Sequence, residues 1–148
     1  MTKAIILSGG YGTRLRPLSC TIPKSLMPIV NKPVMERQIL LLKSAGVKEI
    51  VLAVSVMGDI VKNYFKDGTR LGVKIHYTEE KHPLGTAGAI KIAESYLKEE
   101  NFFMLNGDVI LNCDLNEMLK FHNTKKPHSI FEVTMLRHNK VTHYCEII

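Results

Sequence analysis

Three glycines within four residues, Gly9, Gly10 and Gly12, directly follow the short apolar run Ala4-Ile5-Ile6-Leu7. An apolar run of that length reads as a buried strand. Glycines after it let the backbone turn with positive φ and let a ligand approach bare N–H groups, and a concave run of amides binds phosphate. Arg14 and Lys24 follow, one a planar fork and the other a point charge, and both suit phosphate oxygens. The chemistry these types and spacings point to is the binding of a nucleotide's phosphates. Two commoner phosphate loops are excluded. No Gly-Lys pair occurs anywhere, which rules out the ATPase loop. The dinucleotide fingerprint fails because Leu15 stands where its third glycine belongs, and Val54-Ser55-Val56 carries no acid at the tip of the second strand. A second chemical feature is Asn106-Gly107-Asp108, which follows the apolar run Phe102 to Leu105. A carboxylate there is a hard oxygen ligand of the kind Mg²⁺ takes beside substrate phosphates and water.

Gly10 to Pro17 reads Gly-x-Gly-Thr-Arg-Leu-x-Pro, and Pro23 to Pro28 reads Pro-Lys-x-Leu-x-Pro. The two segments together resemble the signature of the sugar-1-phosphate nucleotidyltransferases (pyrophosphorylases). Among these the chain is similar to the N-terminal part of the GDP-mannose pyrophosphorylases. The resemblance implies nucleotidyl transfer from a nucleoside triphosphate to a sugar 1-phosphate, giving nucleotide sugar and pyrophosphate. Arg14, Lys24 and Asp108 are the catalytic residues it implies, with Mg²⁺ as cofactor on Asp108. Leu7, Gly9, Gly10, Gly12, Thr13, Arg14, Lys24, Glu80, Gly85, Asn106 and Asp108 are the expected nucleotide-binding residues. Relatives using thymine or uracil nucleotides have Gln three residues before the proline that is Pro83 here, and this chain has Glu80. A carboxylate accepts but cannot donate. It therefore matches the N–H donors on the edge of guanine, which favours GTP, and the resemblance alone implies mannose 1-phosphate as the sugar substrate.

The family's sugar-binding Glu-Lys-Pro segment and its second metal-binding aspartate do not occur in this chain, and Cys145 stands where the family has a glycine touching the sugar. Residues 1–148 are thus expected to be a single, truncated nucleotidyltransferase domain, the nucleotide-binding portion without most of the sugar-binding half. Two alternatives stay open: a non-catalytic regulatory relative that binds nucleotide or nucleotide sugar, and a glucose-1-phosphate uridylyl- or thymidylyltransferase.

The elements that must position these residues alternate. Strands are expected at Ala4 to Ser8, Glu49 to Ser55, Val73 to Tyr77, Phe102 to Leu105 and Ser129 to Leu136. Helices are expected from Val34 to Ala45, Asp59 to Phe65, Gly85 to about Leu97, and from an Asp114 cap to about Asn123. Residues 9 to 32 read as one long proline-punctuated loop. The apolar face of the first helix is read as Val34, Ile39, Leu41, Leu42 and Ala45. The pattern implies a mostly parallel sheet covered on both faces. With the resemblance, the expected fold is a Rossmann-like three-layer α/β/α sheet of the nucleotide-diphospho-sugar transferase type. Ligands of such sheets bind beyond the carboxyl ends of the strands, where the loops after Leu7 and Tyr77 and Asp108 would converge. Strand order does not follow from the sequence.

The 148 residues carry a net charge of +6, but the lysines are scattered and not interleaved with aromatics, so no nucleic-acid partner is expected. No stretch approaches the ~18 apolar residues of a membrane span. Three cysteines without CxxC spacing read as reduced thiols, and the expected location is cytoplasmic. Truncation would expose apolar surface, so a homo-oligomer is expected.

Overall fold

A computed structural model describes residues 2–10, 12–80, 82, 84–98, 101–125, 130–137 and 140–147, with side chains as far as residue 125. Two compact units result, Met1–Ile110 and Leu111–Ile148. The first contains, in order, β1 (Lys3–Ser8), β2 (Pro28–Ile29), β3 (Lys32–Pro33), α1 (Val34–Ser44), β4 (Glu49–Val54), α2 (Gly58–Phe65), β5 (Lys74–Glu79), α3 (Gly85–Ile92), α4 (Glu94–Leu97) and β6 (Phe102–Asn106). The second contains α5 (Leu115–Lys125), β7 (Ile130–Arg137) and β8 (Lys140–Ile147).

Four parallel strands form the sheet of the first unit in the order β5-β4-β1-β6. Ala4, Ile5 and Ile6 of β1 and Ile50 to Val54 of β4 are all buried. That unbroken burial is what a parallel strand covered on both faces requires. The two faces separate by parity, because successive side chains point to opposite sides. Ile5, Val51 and Ala53 pack with Ala89, Ala93 and Leu97 of the α3–α4 segment. On the opposite face, Val54 sits against Gly58 of α2, and Ile6 lies near Met35 of α1 where both approach Gly107. These are the three layers the alternation predicts.

The chain runs from β1 outward through β4 to β5, then crosses back to place β6 on the other side of β1. Its direction of travel therefore reverses beside β1, and such a reversal opens a crevice at the carboxyl edge. Leu7 is opposite Ala53 on one side and Asn106 on the other. The three strand ends emerge level with one another.

Three local expectations differ from the structure. Residues 9 to 32 contain three short 3₁₀ turns, Thr13–Leu15, Leu18–Cys20 and Lys24–Leu26, and the β2–β3 ribbon. Pro17 and Pro23 stand at the start of the second and third turns, where a fixed φ is no obstacle to a turn. The ribbon reverses through Val30 (φ 49) and Asn31 (φ 59), a type I′ geometry, and Arg37 of α1 donates to the carbonyls of Ile29 and Val30. On α1 the buried residues are Val34, Met35, Glu36, Gln38, Ile39 and Leu42, whereas Leu41 and Ala45 are half-buried. Two polar residues occupy the inner face because each has partners there: Glu36 accepts from Tyr64 Oη at 2.9 Å and Arg70 at 3.1 Å. The helix expected to run on to Leu97 is interrupted at Ala93, between α3 and α4.

In the second unit Asp114 Oδ1 accepts from the N–H groups of Asn116 and Glu117, the expected cap of α5. β7 matches the expected last strand (Ser129 lies outside the described residues). β8 was not anticipated. It pairs antiparallel with β7 from Ile130 opposite Ile147 to Arg137 opposite Lys140. No Asn-Gly or Asp-Gly signal marks the two residues between the strands, so sequence gives little notice of the hairpin.

Candidate functional site

At the carboxyl edge of the sheet lies a cavity of about 290 Å³. Its walls come from Leu7 to Gly10 after β1, Pro23 to Ser25 of the loop, Val56 after β4, Glu80 after β5, Gly85, Thr86 and Ala89 of α3, and Asn106 to Asp108 after β6. Three side-chain hydrogen bonds fix the glycine segment. Ser55 Oγ donates to Gly9 O at 2.6 Å, Ser19 Oγ donates to Gly12 O at 2.7 Å, and the hydroxyls of Ser8 and Ser25 are 2.8 Å apart. Of the three glycines only Gly12 has positive φ (63°). A Cβ at Gly12 would lie 2.8 Å from Lys24 Cγ, so its absence lets the lysine stem pass. Gly10 needs neither freedom, since a Cβ there would meet no protein atom within 4 Å. What its bare backbone keeps open is room in the cavity for a ligand to reach the amides.

Lys24 Nζ donates to Asp108 Oδ2 at 2.6 Å, joining the loop after β1 to the turn after β6. Both side chains keep solvent access (29% and 44% exposed), and an ammonium has three donors. Lys24 therefore holds Asp108 with one and has two left for oxygens of a ligand. The turn bearing Asp108 is closed by Val109 N–H on Asn106 O at 3.2 Å and pressed onto β1 by Gly107 N–H on Leu7 O at 2.8 Å. A Cβ at Gly107 would sit 2.9 Å from that same Leu7 O. Among the described residues no cluster of three or more His, Cys, Asp or Glu could hold a metal by itself. One carboxylate at a solvent-accessible edge nevertheless fits Mg²⁺, which completes its octahedron with phosphate oxygens and water.

The opposite wall is built differently. Glu80 follows β5 and is tied to β4 by its N–H on Val54 O at 3.1 Å. Its Oε2 accepts from Leu84 N–H at 3.1 Å, which leaves Oε1 as the oxygen nearer Gly9. Val56 adds an exposed apolar side chain to this wall, and Gly85 and Thr86 open α3, where first-turn N–H groups lack helical partners. This side offers an acceptor, an apolar surface and backbone donors. It can take a planar heterocycle, while the Lys24–Asp108 side handles charge.

Of the residues expected from sequence, Leu7, Gly9, Gly10, Lys24, Glu80, Gly85, Asn106 and Asp108 meet around the cavity. Gly12 stands behind Lys24. Thr13 and Arg14 lie outside the wall, exposed on the first 3₁₀ turn. Sequence reasoning assigned no role to Ser8, Ser25, Ser55, Val56 or Gln38. Ser8 and Ser25 lay within the signature segments, whereas nothing in the sequence of α1 marks Gln38, whose partners lie 68 and 71 positions away.

A family model described as Nucleotidyl transferase matches residues 3–145. The chain is 48% identical over 123 residues to the mannose-1-phosphate guanylyltransferase catalytic subunit beta of Danio rerio, a match covering 81% of this chain and 34% of the relative. The chain thus spans about a third of the length of that curated relative. Among solved structures, a UDP-glucose pyrophosphorylase from Acinetobacter baumanii superposes with a TM-score of 0.76 at 25% identity, covering 86% of this chain and 54% of that one. HddC from Yersinia pseudotuberculosis complexed with GMP-PN superposes with a TM-score of 0.74 at 27% identity, covering 96% and 68%. The paired signature segments, the parallel sheet with its crevice beside β1 and a family match spanning nearly the whole sequence converge, and the chain belongs to the nucleotidyl transferase family.

Proposed function

We propose that residues 1–148 are the nucleotide-binding portion of a mannose-1-phosphate guanylyltransferase domain. In the reaction a phosphate oxygen of mannose 1-phosphate attacks the α-phosphorus of GTP. A new P–O bond forms, the bond to the β-phosphate oxygen breaks, and pyrophosphate leaves with the electron pair. An anionic nucleophile approaching an anionic phosphorus needs positive charge and alignment more than covalent help. The observation that carries this reading is the Lys24–Asp108 pair, 2.6 Å apart in the same cavity wall as Gly9 and Gly10.

The glycine amides orient the phosphates, and Lys24 directs its remaining donors at oxygens around the α-phosphorus. Asp108 would hold Mg²⁺, which when bound supplies charge neutralisation on the phosphates. Arg14 lies beyond the cavity wall, so its role on the leaving pyrophosphate requires the β- and γ-phosphates to extend outward past Gly10. Glu80, with one oxygen fixed by Leu84 N–H, presents the other as an acceptor to guanine N1–H and N2–H₂. The similarity to a named guanylyltransferase supports the same base and sugar. Nucleoside triphosphates and sugar phosphates are cytoplasmic metabolites, which supports that location. Exposed apolar side chains such as Leu18 and Ile110 support self-association, and sedimentation of the purified chain tests it.

The test is pyrophosphate release with GTP, ATP, UTP or dTTP against mannose 1-phosphate or glucose 1-phosphate, alongside calorimetric titration of each nucleotide with Mg²⁺ present. GTP with mannose 1-phosphate should give the largest turnover. Binding of GTP without turnover by any pair would make the chain a nucleotide-binding module, and a uridylyl or thymidylyl preference would move it to the glucose-1-phosphate enzymes. Glu80→Gln turns the free end into a donor suited to uracil carbonyls, so preference for GTP over UTP should fall about tenfold. Unchanged selectivity would remove Glu80 from base recognition.

A further inference from the structure

Gln38 lies on the inner face of α1, 2% exposed, and its side chain does not pack as a spacer. Nε2 donates one proton to Asn106 O at 2.7 Å and the other to Val109 O at 2.6 Å. These carbonyls bracket the four-residue turn that carries Asp108. The amide cannot be flipped, because its oxygen would then face two carbonyl oxygens. Oε1 is buried with no hydrogen-bond partner. An apolar residue would avoid that orphaned acceptor, so the position keeps an energetically awkward side chain for the sake of its two donors.

We propose that Gln38 is a positioning residue for Asp108, acting through the turn and touching no substrate atom. The inference rests on the reading of Asp108 as the Mg²⁺-bearing carboxylate. Three restraints converge on this turn. Gly107 N–H pins its second residue to β1, Val109 N–H closes it on Asn106 O, and the Gln38 amide ties both ends to α1. Without the amide, Asn106 O keeps the Val109 N–H, but the tie between Val109 O and α1 is lost. The end of the turn just after Asp108 is then free to swing. Lys24 pulls the carboxylate toward the loop after β1, and Gln38 is the counterweight that keeps its backbone at the sheet edge. A carboxylate held on both sides meets a cation without reorganising, and one held on one side does not.

The deciding measurement is Mn²⁺ binding by electron paramagnetic resonance with GTP present, paired with GTP affinity in EDTA. Gln38→Met keeps length and volume and removes both donors. It should leave GTP affinity in EDTA within twofold and weaken Mn²⁺ binding in the GTP complex at least tenfold. In the Asp108→Asn background the same substitution should change Mn²⁺ binding less than twofold. A folded Gln38→Met protein that retains wild-type Mn²⁺ affinity overturns the inference while leaving the metal reading of Asp108 intact. Wild-type protein whose GTP affinity is the same with Mn²⁺ as with EDTA overturns that reading and the inference with it. Should the variant not fold, hydrogen exchange of the wild-type Gln38 side-chain amide decides. Both protons should be protected, and rapid exchange of either overturns the clamp.

Discussion

At the scale of single residues, Lys24 and Gly12 form one device. The pair of Lys24 with Asp108 is partly exposed, and such pairs contribute about 0–1 kcal/mol to stability. Lys24→Ala should therefore melt within a few degrees of wild type and, in a complete enzyme that carries it, abolish pyrophosphate release. An alanine variant that still turns over would remove Lys24 from the chemistry. Gly12→Ala acts on the same lysine from behind, because the added methyl would arrive 2.8 Å from Lys24 Cγ in a backbone with φ 63°. Displacing a charged group by about an ångström costs on the order of 10²-fold in rate. Turnover should fall by roughly that factor, with about 1 kcal/mol lost from stability in urea titration because alanine is strained at positive φ. A rate unaffected by the methyl would mean that Lys24 has slack.

At the scale of elements, the β2–β3 ribbon carries a cost that can be relieved. Val30 is 85% exposed with φ 49°, and a β-branched residue in the left-handed region loses about 1–2 kcal/mol. Val30→Asn should raise the urea midpoint by an equivalent of about 1 kcal/mol, asparagine being at ease in a type I′ turn. A lower midpoint would show that the valine is held by contacts the turn geometry does not reveal. The same element shows what sequence can disclose. Pro23, Pro28 and Pro33 announce irregular backbone, but not that two dipeptides between them pair into a ribbon, because two-residue strands leave no periodicity to read. By contrast β1 and β4 were legible, as unbroken apolar runs have few alternative uses in a soluble chain. The place of Asp108 at the sheet edge was legible from the apolar strand before it. Gln38 was not, because its partners lie about seventy positions away and nothing in α1 itself points to them. Strand order was hidden for the same reason. Whether β6 adds beside β5 or crosses to β1 is decided by long-range packing.

For the molecule as a whole, stability should weaken in alkali through a side chain that does not line the cavity. Tyr77 Oη donates to Lys66 O at 2.6 Å, and burial pushes the phenol up from 10.0 to about 12. The unfolded chain ionises first, so between those values it binds fewer protons than the folded one, and stability falls as pH rises through that window. The loss should be on the order of 1 kcal/mol once solvent access to the half-buried ring is allowed for. Urea midpoints of wild type and Tyr77→Phe, followed from about pH 9 to 12, should converge as the phenol's advantage disappears. Parallel slopes would deny the effect. Finally, under the proposed function the reversal of chain direction beside β1 would divide labour between flanks. The flank reached through β4 and β5 would read the letter of the nucleotide, and the one reached through β6 would work the bond. A lineage could rewrite Val56 and Glu80 to change its alphabet and leave the Lys24–Asp108 machinery untouched, as a typewriter takes a new typeface without a new key mechanism.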